Sequence, residues 1–161
     1  MEVKKIEFTL WRVFLIINLI SLKKIYISSD HAGYNLKSGI ILKFSKILKI
    51  IDLGPNSKDS VDYPDFAKKL SKKVSSNKGS FGILICGSGM GMAIAANKTK
   101  NIRAALCYSK KNTKLSRLHN NANIITLGER LIDKNKAFSL IKIFLSTKFE
   151  GGRHLRRVKK M

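Results

Sequence analysis

One short stretch limits the fold of this 161-residue chain more than any other. Residues 81–86 (FGILIC) are almost entirely apolar and run directly into Gly87-Ser-Gly-Met-Gly91. An apolar run of this length predicts a strand that is buried on both faces, as in a parallel sheet. The glycines allow a tight turn that brings backbone N–H groups close to a ligand, and a helix is predicted from Met92. The stretch therefore predicts a strand, a glycine loop and a helix N-terminus in direct succession.

Cys86 ends this predicted strand and is the first candidate for chemistry. The unpaired N–H groups and positive dipole of a helix N-terminus favour anions and would stabilise a thiolate. Cysteine is also a common inert core residue, and alternating glycines are a weak motif by themselves. No Gly-Lys-Ser/Thr follows as in a P-loop, and the next predicted strand, residues 102–107, has no acidic residue at its end to hold a ribose. The loop predicts an anion site but no particular reaction.

The strongly basic composition does not by itself identify a partner. The formal net charge is +22, and of the 32 basic residues 25 are Lys and seven are Arg. The Lys residues are scattered, with no basic run interleaved with aromatic residues, so we interpret them as a solvated surface and expect no nucleic-acid partner. The two cysteines, Cys86 and Cys107, each end a predicted buried strand, which argues against a disulfide and indicates a reducing, cytoplasmic setting.

The arginines are more informative, because a guanidinium group can bind a phosphate or carboxylate with two parallel hydrogen bonds. Five of the seven lie in the last third of the chain, at Arg117, Arg130, Arg153, Arg156 and Arg157. If the chain is helical after residue 152, the last three share one helix face. This triplet fits a phosphate site and equally fits a solvated helix face.

Residues 1–22 differ from the rest of the chain, because residues 8–22 are strongly apolar. This run is shorter than the about 20 residues that a membrane span needs and contains Arg12, so we expect no stable membrane insertion. No small-x-small cleavage site follows it, which argues against a signal peptide. We interpret residues 1–22 as an extension of unknown role, either an appended helix or the product of an upstream start codon, and residues 23–161 as one domain.

The rest of the chain alternates between strand and helix patterns. Strands are predicted at residues 25–29, 47–53, 81–86, 102–107 and 122–127. Helices are predicted at residues 34–46, 64–75, from 92, 110–118 and 133–147. This alternation predicts an α/β fold, a Rossmann-like three-layer α/β/α sandwich around a five-stranded parallel sheet, with a strand order that the pattern does not define.

Several polar residues lie where ligands commonly bind in such folds. Asp30 and His31 follow the first strand at the ligand-binding edge of a parallel sheet, although Asp30 also fits a helix N-cap. The long loop at residues 54–63 brings Asp62 and Tyr63 within reach of a ligand, and turn chemistry explains Asp62 equally well. His119 follows a predicted helix, where a lone histidine is usually a solvated C-cap.

Six short motifs along the chain occur together in one known family. They are Ser29-Asp-His-Ala-Gly33, Ser60-Val-Asp-Tyr-Pro-Asp65, Cys86-Gly-Ser-Gly-Met-Gly-Met-Ala-Ile-Ala-Ala-Asn-Lys98, Ile102-Arg-Ala-Ala-Leu106, Ser116-Arg-Leu-His-Asn120 and Phe149-Glu-Gly-Gly-Arg-His154. Together they resemble the type B ribose-5-phosphate isomerases, whose relatives include the galactose-6-phosphate isomerase subunits. The resemblance covers about residues 23–158, nearly everything except the N-terminal extension.

The resemblance implies an aldose–ketose isomerase that interconverts ribose 5-phosphate and ribulose 5-phosphate through an enediolate, without a metal or another cofactor. It implies that Cys86 is the base and that His119 is the acid that opens the furanose ring. The residues it assigns to substrate binding are Asp30, His31, Gly87, Ser88, Gly89, Met90, Gly91, Asn120, Arg130, Arg153 and Arg157. The alternatives are a galactose- or allose-6-phosphate isomerase of the same family and a non-catalytic sugar-phosphate- or nucleotide-binding module.

The resemblance also divides roles among these substrate-binding residues. Residues 87–91 form a cradle for the oxyanion, and Asn120 contacts the substrate beside the acid. Asp30 orients sugar hydroxyls, while His31, Arg153 and Arg157 bind the phosphate, with Arg130 as a further candidate.

Two positions depart from the family's pattern. One branch of the family has Ser in place of Cys86 and an acidic residue four places later, where this chain has Met90, so Cys86 is the better candidate for the base. Asn121 stands where the family usually has Asp. We expect the loss of this carboxylate to tune how His119 or its loop is held. Family members are dimers or tetramers whose sites draw residues from two subunits, so we expect the C-terminal tail to contact a partner.

Overall fold

The computed structural model describes residues 23–161, and the extension at residues 1–22 lies outside the described residues. Five strands form one sheet: β1 (Lys24–Ser29), β2 (Lys49–Asp52), β3 (Phe81–Cys86), β4 (Ala104–Leu106) and β5 (Ile124–Gly128). All pairs are parallel, in the order β2-β1-β3-β5-β4. The predicted five-stranded parallel sheet is therefore confirmed, and Cys86 ends its central strand.

Residues 23–161 contain six α-helices: α1 (Tyr34–Phe44), α2 (Tyr63–Ser76), α3 (Met90–Ala96), α4 (Lys110–Asn120), α5 (Lys134–Ser146) and α6 (Gly152–Val158). A single 3₁₀ turn, His31–Gly33, joins β1 to α1. The buried side chains of α1 and α5 pack on one face of the sheet, and those of α2 and α3 pack on the other. This arrangement confirms the three-layer sandwich. Within residues 23–161, no helix combines the length and the apolar character needed to cross a bilayer.

The central strand β3 is buried along its whole length, which explains its uninterrupted apolar sequence. Phe81, Ile83 and Ile85 contribute to the core beneath α1 and α5. Leu84 and Cys86 contribute to the core beneath α2 and α3. Successive strand residues point to opposite faces, so a strand covered by helices on both sides needs apolar residues at every position.

Several helix boundaries differ by one or two residues from the sequence prediction, and two of the differences bear on the site. Helix α3 begins at Met90 rather than Met92, so Gly91 lies in its first turn. Helix α4 continues to Asn120 rather than to residue 118. Asn121 ends it in a left-handed conformation, with φ of 47°, and its N–H donates to the carbonyl of Arg117. His119 therefore lies inside the last turn of α4 instead of following the helix.

A buried lysine fixes the loop that approaches the C-terminal edge of the sheet. Lys37 on α1 is almost fully buried, and its Nζ donates to both carboxylate oxygens of Asp52 at 2.9 Å and to the carbonyl of Pro55 at 2.6 Å. These contacts tie the end of β2 and the following loop to α1. Farther along this loop, the N–H of Val61 donates to Nδ1 of His31 at 3.3 Å.

Replacing Asp52 with Asn should leave the Lys37 ammonium buried without a counter-charge. We expect Asp52→Asn to lower the free energy of unfolding by about 2–3 kcal/mol, below the full cost of a broken buried pair because the Asp52 side chain is 36% exposed. Urea unfolding followed by circular dichroism measures the change. The control Asp65→Asn removes an exposed carboxylate on α2 and should change stability by about 0.5 kcal/mol or less. Equal, small effects would contradict this account of Lys37.

Candidate active site

Cys86 lies at the C-terminal end of β3, where the glycine loop begins. The residue is 5% exposed and packs beneath α2 and α3, but its sulfur also has a polar contact. The N–H of Gly89 donates to Cys86 Sγ at 3.1 Å. The loop therefore aims a backbone hydrogen-bond donor directly at the sulfur. The structure therefore has Cys86 beside the N–H groups of the loop, as the sequence predicted.

The glycine loop packs against the end of β5, and at its closest contacts it has no room for a side chain. Gly89 has a left-handed φ of 76°, and a Cβ at this position would lie 2.8 Å from the carbonyl carbon of Leu127 and 2.7 Å from Leu106 Cδ1. A Cβ on Gly128 would lie 2.6 Å from the carbonyl oxygen of Ser88. The loop shape thus depends on glycine at both contacting positions.

Two side chains that follow β1 lie at the same edge of the sheet as Cys86. Asp30 is buried, its N–H donates to the carbonyl of Ile85 at 3.1 Å, and its Oδ1 accepts from the N–H of Gly33 at 2.9 Å. Asp30 is therefore an N-cap, the alternative that its sequence position allowed. His31 is exposed beside it. Both residues follow β1, as the sequence predicted, and the structure shows that β1 pairs directly with β3.

Arg130 and Tyr63 border the glycine loop from two other directions. The N–H of Arg130 donates to the carbonyl of Gly87 at 3.1 Å, and its guanidinium carbon would be 3.3 Å from a Cβ on Gly87. The ring of Tyr63 would be 2.7 Å from a Cβ on Gly91. A positive charge and an aromatic ring therefore lie within contact distance of the loop that residues 87–91 form.

His119 and Asn120 lie at the opposite edge of the sheet. Helix α4 follows β4 and returns to the N-terminal end of β5, so its last turn is far from the ends of the strands. Nε of Arg103, just before β4, donates to the carbonyls of Asn120 and Asn121 at 3.1 and 3.0 Å. Because a strand rises about 3.3 Å per residue, β5 alone separates the two edges by roughly 13 Å.

Arg153 and Arg157 lie at this same N-terminal edge, because helix α6 is fastened to the end of α4. The N–H of Glu150 donates to the carbonyl of Leu118 at 3.1 Å, and the carbonyl of Thr147 accepts from Nε of Arg117 at 3.2 Å. One chain therefore brings Cys86, the glycine loop, Asp30, His31 and Arg130 together. It does not bring His119, Asn120, Arg153 or Arg157 to them.

His119 belongs to a cluster of two imidazoles and one carboxylate. The rings of His119 and His154 stack with centroids 4.1 Å apart and planes 3° from parallel. Glu150 Oε2 lies 3.7 Å from His119 Nε2 and 4.0 Å from His154 Nε2. Burial lowers the pKa of His154, and the positive charges of His119, Arg153 and Arg157 lower it further, whereas Glu150 opposes them. Sequence reasoning gave no role to Glu150 or His154, although both lie in the motif at residues 149–154.

The geometry of this cluster does not suit a metal ion. The ligand atoms of His119, Glu150 and His154 lie within 4.8 Å of one another, as a metal site would require. An imidazole nitrogen binds a metal through a lone pair in the plane of its ring, and two parallel stacked rings share no such plane. The nearby charges of Arg153 and Arg157 would also repel a cation. In the part of the chain that the structure describes, no other group of three such side chains is close enough to share an ion.

A cavity of about 380 Å³ also lies at the N-terminal edge, lined by residues that include Lys23, Phe81, Arg103 and Arg117. The two arginines have structural partners there. Arg103 binds the carbonyls at the end of α4, and the guanidinium of Arg117 lies over the rings of Phe81 and Phe144, 4.9 and 5.5 Å from their centroids. The cavity is remote from Cys86, so we do not place the candidate site in it.

Comparison with known proteins places the chain in a family. Residues 25–161 match the model of the family described as Ribose/Galactose Isomerase. A ribose 5-phosphate isomerase from Thermotoga maritima, known from its crystal structure, is 49% identical in sequence to this chain. The two structures superpose with a TM-score of 0.83, and the match covers 86% of this chain and 97% of that one. The ribose-5-phosphate isomerase B of Escherichia coli K12 is 38% identical over 138 residues, covering 85% of this chain and 93% of its own.

A further solved structure was obtained with a ligand. It is the ribose-5-phosphate isomerase B of Mycoplasma genitalium with bound ribulose-5-phosphate, 43% identical with a TM-score of 0.81, covering 86% of this chain and 93% of that one. The shared fold and the extent of these matches make the protein an isomerase enzyme. The chain belongs to the ribose/galactose isomerase family, which confirms the resemblance found in its motifs.

Two glycines with similar backbone angles test how tightly the loop is packed. Gly79 and Gly89 have φ of 83° and 76°, but a Cβ on Gly79 would meet nothing within 4 Å. Gly79→Ala should therefore cost only the left-handed strain, about 1 kcal/mol. Gly89→Ala should cost about 1–3 kcal/mol more, because the backbone of Leu127 must also move. Urea unfolding of the two variants measures the difference, and equal costs would contradict the close packing.

Proposed function

We propose that the protein interconverts D-ribose 5-phosphate and D-ribulose 5-phosphate through an enediolate, with Cys86 as the base. The observation that carries this proposal is the contact between Cys86 Sγ and the N–H of Gly89, at the mouth of a loop that has room only for glycine at its closest contacts. The relative from Mycoplasma genitalium was crystallised with ribulose-5-phosphate, which supports a pentose phosphate as the substrate.

Proton transfer in the proposed mechanism needs only Cys86 and the loop. The thiolate removes the proton on C2 of the open-chain aldose, and the electron pair of that bond forms the C1–C2 double bond while the charge moves to O1. Backbone N–H groups of residues 87–91 stabilise the resulting enediolate. The proton of the C2 hydroxyl then passes to O1, C2 becomes the carbonyl, and Cys86 returns its proton to C1. No proton is gained or lost overall.

Ribose 5-phosphate closes into a furanose, so its ring must open before this step. We assign ring opening to His119, which gives a proton to the ring oxygen as the bond from C1 to that oxygen breaks. The electron pair of the bond goes to the ring oxygen. The proton of the C1 hydroxyl passes back to His119 as C1 becomes the aldehyde, so the histidine ends as it began.

The separation of Cys86 from His119 within one chain leads us to propose that two chains form each site. In this arrangement the C-terminal edge of one subunit supplies Cys86, the glycine loop, Asp30, His31 and Arg130. The N-terminal edge of the partner supplies His119, Asn120, Arg153 and Arg157. Asp30 would orient the sugar hydroxyls, and the imidazole of His31 with the guanidinium groups would bind the phosphate. A homodimer is the smallest assembly that completes such a site, and a homotetramer would contain two of these dimers.

Apolar residues on the surface of α3 support this assembly. Met90 and Ile94 are four residues apart on one side of the helix, and they are 52% and 65% exposed. Leu155 on α6, at the other edge, is also exposed. Covering these side chains with a second subunit would bury apolar surface that water otherwise contacts, which favours association.

The substrate assignment predicts the outcome of a direct assay. Purified protein mixed with ribose 5-phosphate should form ketose, and EDTA should not change the rate, because no step in the mechanism uses a metal ion. Assays with allose 6-phosphate and galactose 6-phosphate at matched concentrations test whether the enzyme prefers a pentose or a hexose phosphate. A higher kcat/KM on either hexose phosphate would reassign the substrate, and no turnover on all three would contradict isomerase activity on these sugars.

The two cysteines provide a matched pair for testing the base. Cys86→Ala should lower kcat by about 10²- to 10⁴-fold, the usual contribution of a positioned base. Cys107 is also buried, but it follows β4 and lies beside Ser116, and burial raises the pKa of its thiol. Cys107→Ala should therefore keep kcat close to that of the unsubstituted protein. Circular dichroism checks that both variants fold, and an unchanged kcat in Cys86→Ala would refute the role of Cys86.

A further inference from the structure

Glu150 and His154 make contacts with His119 that the proposed reaction does not use. His119 is about one-third exposed, whereas His154 is 5% exposed and lies beneath it as a parallel ring. A buried ring in face-to-face contact restricts the tilt of its neighbour. The stack therefore fixes the plane of the His119 imidazole but leaves its rotation within that plane to another contact.

Whether His154 is protonated determines which of the two imidazoles, His119 or His154, pairs with the Glu150 carboxylate. Nε of Arg153 lies 3.5 Å from His154 Nε2 in a donor geometry, which suits a neutral His154 whose proton is on Nδ1. Burial also keeps the pKa of His154 below its usual value. Two charged rings at 4.1 Å would repel each other, so a neutral His154 permits a positive charge on His119. Glu150 is then free to serve as the counter-charge of His119.

Glu150 is held in this position by its backbone rather than by its side chain. Its N–H donates to the carbonyl of Leu118, the residue immediately before His119. Gly151 and Gly152 follow with left-handed φ of 74° and 50°, which turns the chain into α6. The carboxylate oxygen consequently lies 3.7 Å from His119 Nε2, at a distance where a small side-chain movement completes a hydrogen bond.

We propose that Glu150 and His154 are positioning residues for His119, with His154 setting the plane of its ring and Glu150 directing Nε2 and balancing the charge of the imidazolium. This inference rests on the proposed ring-opening role of His119. Asn121 does not take this role, because its Oδ1 accepts from Nη1 of Arg117 at 3.0 Å. Nδ1 of His119 is the nitrogen that this arrangement leaves for the sugar, so the proton exchanged with the ring oxygen is carried there.

Two reactions of the same enzyme distinguish the positioning of His119 by Glu150 from a general effect of Glu150 on the structure. Conversion of ribose 5-phosphate needs ring opening. Ribulose 5-phosphate cannot form a furanose, because its O5 carries the phosphate, so exchange of its C1 proton with deuterium from D₂O needs only the Cys86 step. Glu150→Gln should lower kcat on ribose 5-phosphate by about 10- to 100-fold, as expected when a catalytic group is misplaced. The rate of deuterium exchange should change by about twofold or less.

Conservative variants and a remote control complete the kinetic experiment. Glu150→Asp keeps the carboxylate and should recover part of the lost kcat, and His154→Phe keeps a flat ring and should lose less activity than His154→Ala. Asp65→Asn removes the same charge from an exposed site and should leave both reactions unchanged. Equal loss of both reactions in Glu150→Gln, or no loss in either, would overturn the proposal.

A spectroscopic readout tests the contact even if the protein does not act on ribose 5-phosphate. The chain has three histidines, His31, His119 and His154, so the ¹⁵N resonances of their rings can be assigned by substitution. Glu150→Gln should change the tautomer pattern of His119 and leave that of His31 as it was. An unchanged His119 spectrum would overturn the positioning role, whereas failure of the unsubstituted protein in both reactions would instead overturn the proposed function.

Discussion

All five strands run in the same direction, and this constraint decides which side chains can meet. Residues that follow the strands gather at one edge of the sheet, as Cys86, Asp30 and Arg130 do. Residues at the ends of the returning helices gather at the other edge, as His119 does in α4. A parallel sheet cannot bring these two sets together within one chain, because the length of the strands separates them. The proposed requirement for a second subunit follows from this geometry.

Cys86 shows how a residue in the core can still be suited to chemistry. Its neighbours on β3 and beneath α2 are apolar, so the sulfur is shielded from most of the solvent. The backbone N–H of Gly89 reaches it from the loop, and Gly89 can do so only because its left-handed conformation brings the loop against β5. Burial and a backbone donor therefore act on the same atom, and the loop conformation connects them.

The sequence defined the strands and the glycine loop well, because a doubly covered strand needs an unbroken apolar run such as that of β3. Helix ends were harder to predict. The alternation of strand and helix patterns along the sequence does not show that α4 continues past His119 to a left-handed Asn121. Nor does it show that α3 begins at Met90. Motif matching brought His119 and Cys86 into one site without showing their places on the sheet. The stacking of His154 on His119 depends on the packing of α6 against α4. Such a contact between distant segments has no signature in the local sequence.

Mixing two inactive variants tests most directly whether each site is shared between two chains. Cys86→Ala and His119→Ala should each be nearly inactive alone. If they are unfolded together and refolded as a mixture, a hybrid dimer has one site with both residues intact and one with neither. Random pairing of the subunits should then restore about a quarter of the activity of the unsubstituted protein. Activity no higher than that of the separate variants, in a mixture shown to contain hybrids, would contradict the shared site.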